Sequence, residues 1–234
     1  KDPRDWKLIG RPVPRLDLPA VVRGEPVFAQ DVRVPGMLVA QVERAPVLGG
    51  SVKSFDDAKA KAVPGVRAVV QVTGGVAVVA EDFWAAKQGR AALVVEWDEG
   101  PNAALDSDAV RAALQALVAA PKGAVVRHDG DAPGTIASSP KRLRAEYEAP
   151  YLAHATMEPM TCSADVRPDG VTVWAPTQMQ WGPRMFGSGT QGTAAKIAGV
   201  AMDQVDVRTT LLGGGFGRRA EMDFVVDAVE TSKA

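Results

Sequence analysis

Residues 213–219 read Gly213-Gly214-Gly215-Phe216-Gly217-Arg218-Arg219, four glycines around one aromatic and then two cations. Each glycine costs backbone entropy on folding, so this cluster needs a reason beyond packing. One reason is access, because without Cβ atoms the backbone N–H groups can approach a ligand closely and point at its anionic or oxo groups. The pattern places the cluster between a strand and a helix. Arg218 and Arg219 then add positive charge near a helix start, where the dipole favours anions. A tight surface turn is the plainest alternative. A phosphate-binding loop lacks the Gly-Lys-Ser/Thr ending, and a dinucleotide fold would need an acidic residue about twenty positions on.

Other residues offer less. Cys162 is the single cysteine, so an intrachain disulfide, a Cys-based zinc site and a four-cysteine iron–sulfur cluster are excluded. It reads as a small buried hydrophobe. Two histidines, His128 and His154, cannot build a His-rich metal site, so any redox metal must arrive inside an organic cofactor. His154 reads as a packed histidine, and Glu158, before Pro159, as a hydrogen-bonding carboxylate rather than a base. Trp84, Trp97 and Trp174 read as core residues.

The elements that must position these groups follow from periodicity. Val-rich runs bounded by Gly and Pro predict strands over 27–32, 37–43, 68–73, 76–80 and 92–97. Helices are expected over 58–63, with Ser54 as cap, over 82–89, and over 106–120. Residues 121–140 read as a connection rich in Gly, Pro, Ser and Asp. Strands resume over 142–148, 161–166 and 171–175, the last two joined by a turn at 167–170. Residues 187–192 read as loose, 193–200 as helix, 205–209 as strand and 221–234 as helix. The fold class is α+β, with expected units at 1–100, 101–140 and 141–234. A hydrophobic content of 46%, a charged content of 24% and a net charge of −1 describe an ordinary globular protein, with no pull toward nucleic acid or an anionic membrane. No apolar run is long enough to span a bilayer. Neither end carries a start or stop signal, so both read as cuts within a longer protein.

The glycine cluster resembles the molybdopterin-binding loop of the xanthine oxidase and aldehyde oxidoreductase family. The segment Val173-Trp174-Ala175-Pro176-Thr177-Gln178 is similar to that family's Trp-x-x-x-Gln segment, and His154-Ala155-Thr156-Met157-Glu158-Pro159 to another recurrent one. Order and spacing of all three agree. Arg23-Gly24, Asp31, Val34-Pro35-Gly36-Met37-Leu38, Val63-Pro64-Gly65-Val66 and 76–80 resemble the family's opening hammerhead domain. Phe83-Trp84-Ala85-Ala86-Lys87, Val95-Glu96-Trp97-Asp98 and the Arg-Arg ending are most similar to isoquinoline 1-oxidoreductase β-subunits. Where xanthine oxidases have Gly-Lys-Glu after the loop, this chain has Arg218-Arg219-Ala220, so purines are a poor expectation for substrate.

The resemblance implies a hammerhead-like domain followed by the start of a molybdenum-cofactor-binding domain. It implies cofactor contacts at Gln178, Gly214, Gly215, Phe216, Gly217, Arg218 and Arg219, with Gln178 donating its amide to an oxo ligand. It implies molybdopterin, as the cytosine dinucleotide, and no metal ligand from the protein itself. It also implies a glutamate base beyond Ala234, so that no catalytic residue lies in this chain, which would not turn over alone. The implied partners are the rest of the large subunit, a small [2Fe-2S] subunit and a heterocycle or aldehyde substrate. The implied setting is bacterial, periplasmic or at the inner membrane. Two other functions compete: a nucleotide-binding dehydrogenase using Gly213–Gly217, and a non-catalytic scaffold.

Overall fold

The computed structural model describes residues 2–120, 123–180 and 189–234. After a short helix, α1 (Leu18–Val22), the chain forms β1 (Val39–Arg44), β2 (Ser51–Asp56), α2 (Ala58–Lys61), β3 (Val66–Val72), β4 (Gly75–Ala80), α3 (Phe83–Ala92) and β5 (Val94–Asp98). Strand β4 lies between β1 and β3, antiparallel to both, and all six of its residues are buried. That is why it reads as an unbroken apolar run, Val76-Ala77-Val78-Val79-Ala80, instead of an alternating one. Helix α3 starts where Asp82 accepts the N–H of Ala85 at 2.8 Å. It lays Ala85, Ala86 and Gly89 against the sheet. At Gly89 the approach is close enough that a Cβ would sit 2.7 Å from Val78 Cγ1 and 2.8 Å from Val66 Cγ2.

Helices α4 (Ser107–Ala119) and α5 (Ala132–Ser138) come next, capped by Asp106 and Asp131. The remaining elements are β6 (Ser163–Arg167), β7 (Gly170–Ala175), α6 (Gly189–Ala198), β8 (Val205–Thr209) and α7 (Asp223–Lys233). In this second sheet β7 is central, antiparallel to β6 and parallel to β8. A parallel pair needs a crossover, and α6 lies within it. Val171, Val173 and Ala175 of β7 pack with Ala194 and Ala195 of α6 and with Phe224, Val225 and Val229 of α7. The chain is therefore a mixed α+β structure.

Several elements differ from expectation. Residues 27–32 form no strand: a single bridge joins Phe28 to Leu211, and the Asp31 carboxylate takes the Phe28 N–H at 3.0 Å, closing a 3₁₀ turn at Ala29–Asp31. Ser54 caps no helix. It lies in β2 and donates to Glu96 of β5, which Lys53 also meets. Helix α5 sits inside the expected connection, and residues 142–148 are exposed with no ladder partner among the described residues. Residues 187 and 188 lie outside the described residues, whereas 189–192 open α6 instead of being loose. Trp84 is 63% exposed, with Lys87 over its ring, because α3 meets the sheet through its small residues. Trp97 and Trp174 are half-buried, and Arg208 lies 5.3 Å from the Trp174 ring centre. Helix α4, although amphipathic, buries none of its residues.

Candidate functional site

Strand β8 ends at Thr209, and its parallel neighbour β7 ends at Ala175 with the two in register. The segments leaving both strands therefore start side by side, one carrying Gln178 and the other the glycine cluster. Gln178 N donates to Arg219 O at 3.1 Å, and Gly217 N donates to Gln178 Oε1 at 3.1 Å. The second bond fixes the amide. An N–H requires the oxygen as its partner, so Nε2, a double donor, is turned away from Gly217. Nε2 makes no hydrogen bond to a described residue.

Each glycine has its own reason. A Cβ on Gly213 would sit 2.3 Å from Glu158 Cβ. A Cβ on Gly215 would meet Gln178 Oε1 at 2.7 Å, so glycine there makes room for the glutamine. Gly214 and Gly217 have φ of 102° and 88°, the left-handed region, and nothing lies within 4 Å of where a Gly217 Cβ would be. Phe216, at φ 54°, shares that conformation at a cost of about 1–2 kcal/mol and is 71% exposed. The N–H groups of Gly214, Gly215 and Phe216 bond to no described residue. Three successive N–H groups with no partner among the described residues, beside the Gln178 amide, give a cradle of donors suited to anionic or oxygen acceptors.

The arginines part company. Arg218 makes a bidentate pair with Asp223, at 2.8 and 2.6 Å. Burial pushes the Asp223 carboxyl up, but Arg218, with Arg44 behind it, more than offsets this and holds it below its ordinary value. Arg219 is wholly buried, its Nη2 lying 3.0 Å from Glu158 Oε2. Neither arginine is a free surface charge. Nor do they open the helix, since they form a 3₁₀ turn and α7 begins only at Asp223. That separation removes the direct glycine-to-helix step on which a dinucleotide site depends.

Glu158 is buried and accepts the N–H of Ala29 and of Gly213, each at 3.0 Å. Sequence reasoning placed it as a structural carboxylate but not at the loop. The signal was available only as Glu158 and Gly213 sharing one fold. His154 is exposed, not packed. Cys162 packs against the second core, and burial with the nearby Asp227 charge pushes its thiol up, leaving it unreactive. Among the described residues no group of three or more His, Cys, Asp or Glu is placed to hold a metal ion.

Residues 118–230 match the family model described as the molybdopterin cofactor-binding domain. This match takes in a little under half of the chain. Over 98% of its length the chain is 36% identical to the β-subunit of isoquinoline 1-oxidoreductase from Brevundimonas diminuta, of which it covers 30%. It is 29% identical, again over 98% of its length, to one of the subunits of nicotinate dehydrogenase from Pseudomonas putida, of which it covers 19%. The chain thus spans about a third or less of the curated relatives it matches. The fold is shared with the crystal structure of quinoline 2-oxidoreductase from Pseudomonas putida 86, with a TM-score of 0.63 and 22% identity over 91% of this chain and 31% of that one. The glycine loop, Gln178 and Glu158 all lie within the family match, whereas β1 to β5 precede it.

Proposed function

We propose that this chain forms one wall of the molybdenum-cofactor site of an oxidoreductase that hydroxylates an N-heterocycle or an aldehyde with water as the oxygen source. The carrying observation is the cradle: Gln178 Nε2 turned away from Gly217, beside the N–H groups of Gly214, Gly215 and Phe216, which bond to no described residue. Such a donor set fits a cofactor rich in oxygen and phosphate acceptors, because it satisfies them without adding charge. Gln178, Gly214, Gly215, Phe216 and Gly217 line the ligand side, with Arg218 and Arg219 behind them. When bound, the cofactor supplies the two-electron chemistry. The residues of this chain would orient it, with the Gln178 Nε2–H group available to donate a hydrogen bond to one of its oxygen acceptors.

The finer features rest on resemblance. The cofactor is the molybdopterin cytosine dinucleotide form, and electrons pass to iron–sulfur clusters on a small partner subunit. The general base is a glutamate outside this chain, so the chain alone is inactive. The unit at 1–100 is hammerhead-like, 101–140 links it to the cofactor-binding domain from 141, and the setting is periplasmic or at the inner membrane. Among the described residues no helix is long and apolar enough to cross a membrane. Metal analysis of the protein that contains this chain tests the reading. Molybdenum with pterin fluorescence is expected, and bound nicotinamide or flavin in their place would overturn it.

A further inference from the structure

Arg219 is the largest fully buried side chain among the described residues; its Nε and Nη2 are bonded within the protein, and its Nη1 meets no partner among the described residues. Nε donates to Gly214 O and Nη2 to Glu158 O, both at 2.7 Å, while Nη2 also pairs with Glu158 Oε2. Its own carbonyl takes the N–H of Gln178 and the hydroxyl of Thr177. One residue thus grips the loop, the Gln178 segment and the bend at Glu158. Glu158 completes the frame. Its N–H donates to Gly213 O at 3.0 Å while its carboxylate receives Gly213 N, so Gly213 is held from both sides. The other carboxylate oxygen holds Ala29, tying in the segment that also touches Leu211 just before the loop. Two N–H donors and a guanidinium occupy about three of the four acceptor sites of this buried carboxylate, so its bonding is mostly to the protein's own groups.

We propose that Glu158 and Arg219 are the positioning residues of the site: the pair sets the spacing between the glycine loop and Gln178, and so decides whether the cradle exists. This rests on the cofactor reading above, because only a cradle that receives a ligand needs such spacing. Gly213 belongs to the same device, since its missing side chain lets Glu158 close on the loop.

Site-resolved amide hydrogen exchange of the protein containing this chain, with and without molybdenum, tests the proposal. Arg219→Lys keeps a charge opposite Glu158, but one ammonium cannot also span to Gly214 O and Glu158 O. The expected result is at least ten-fold faster exchange at the Gly217 N–H, with molybdenum content at least halved and amides of β7 and β8 unchanged. Gln178→Ala, which removes the acceptor of that same N–H, is expected to match the loss of Gly217 protection. Wild-type protection of Gly217 in Arg219→Lys would overturn the proposal. Equal acceleration through β7 and β8 would do so too, since it marks a general stability role. Should Arg219→Lys not fold, Glu158→Gln carries the same measurement, and unfolding of both variants also overturns it. A wild type that never contains molybdenum sinks the cofactor reading alone, because the loop's exchange is read without metal.

Discussion

Arg44, the last residue of β1, and Asp227, in the middle of α7, are 183 positions apart and form an ion pair in which the carboxylate is nearly buried. Asp223 lies 3.7 Å from the same guanidinium and also holds Arg218 beside the glycine loop. Glu230, one turn further along α7, takes the N–H and hydroxyl of Thr73 at 2.6 and 2.7 Å. One helix therefore anchors the turn between β3 and β4 and the end of β1 through carboxylates, while packing its apolar face into the second core. Gly74 has no side chain where one would sit 2.6 Å from Asp227 Oδ1.

This junction makes stability depend on pH. Burial pushes Asp227 up to about 6 against an ordinary 3.8, with Arg44 opposing and Asp223 and Glu230 adding to the rise. The folded protein then holds the proton more tightly than the unfolded chain, so this contribution is present below about pH 4 and lost as pH rises through about 6. Asp227→Asn should be near neutral at pH 4 and more stable than wild type by roughly 1–3 kcal/mol at pH 8. Urea denaturation at both pH values checks this, and a variant weaker than wild type at pH 8 would contradict it.

Gly89→Ala tests the helix–sheet contact. Helix propensity alone favours alanine by about 1 kcal/mol. The added Cβ meets methyl groups of Val78 in buried β4 and of half-buried Val66 in β3, at 2.7 and 2.8 Å, and such overpacking costs roughly 1–3 kcal/mol. The clash wins, so a lower midpoint in thermal melting is expected. A rise would show that α3 can lift off β4 at little cost.

Gly215→Ala and Gly217→Ala separate two uses of glycine. At 217 the space is open and only the left-handed backbone resists, for about 1–2 kcal/mol. At 215 the new methyl lands on the Gln178 amide, so the protein should stay folded while the displaced side chain obstructs the cradle, as its removal would not, and molybdenum content falls. Equal metal content in the two variants would refute this division.

Gln178→Ala should keep most of the metal and lower kcat about 10²-fold or more, since it removes one donor to a changing charge. Molybdenum content measured beside steady-state turnover decides the matter. Wild-type turnover would remove Gln178 from the reaction.

The sequence by itself determined the elements whose signals are local. The apolar run at 76–80 read as a strand and is one, and the helices expected over 82–89 and 106–120 are α3 and α4, the first running three residues further than expected. The glycine cluster and the order of the Glu158, Gln178 and loop segments also named the site's components. Polar strand β2 escaped because it is stabilised across the pair, by Lys53 and Ser54 on Glu96, and not by a buried face. Helix α5 did carry a signal, the Asp131 cap with Pro133 in its first turn, but the Gly and Ser around it outweighed that signal. Which glycine does what was beyond any one-dimensional reading. Gly213 answers to Glu158 and Gly215 to Gln178, partners brought near only when β7 and β8 align in register. The same holds for the inward turn of Arg219 and the turn of Gln178 Nε2 away from Gly217. Both depend on which oxygen or carboxylate the fold places within about 3 Å, a distance that sequence spacing does not encode.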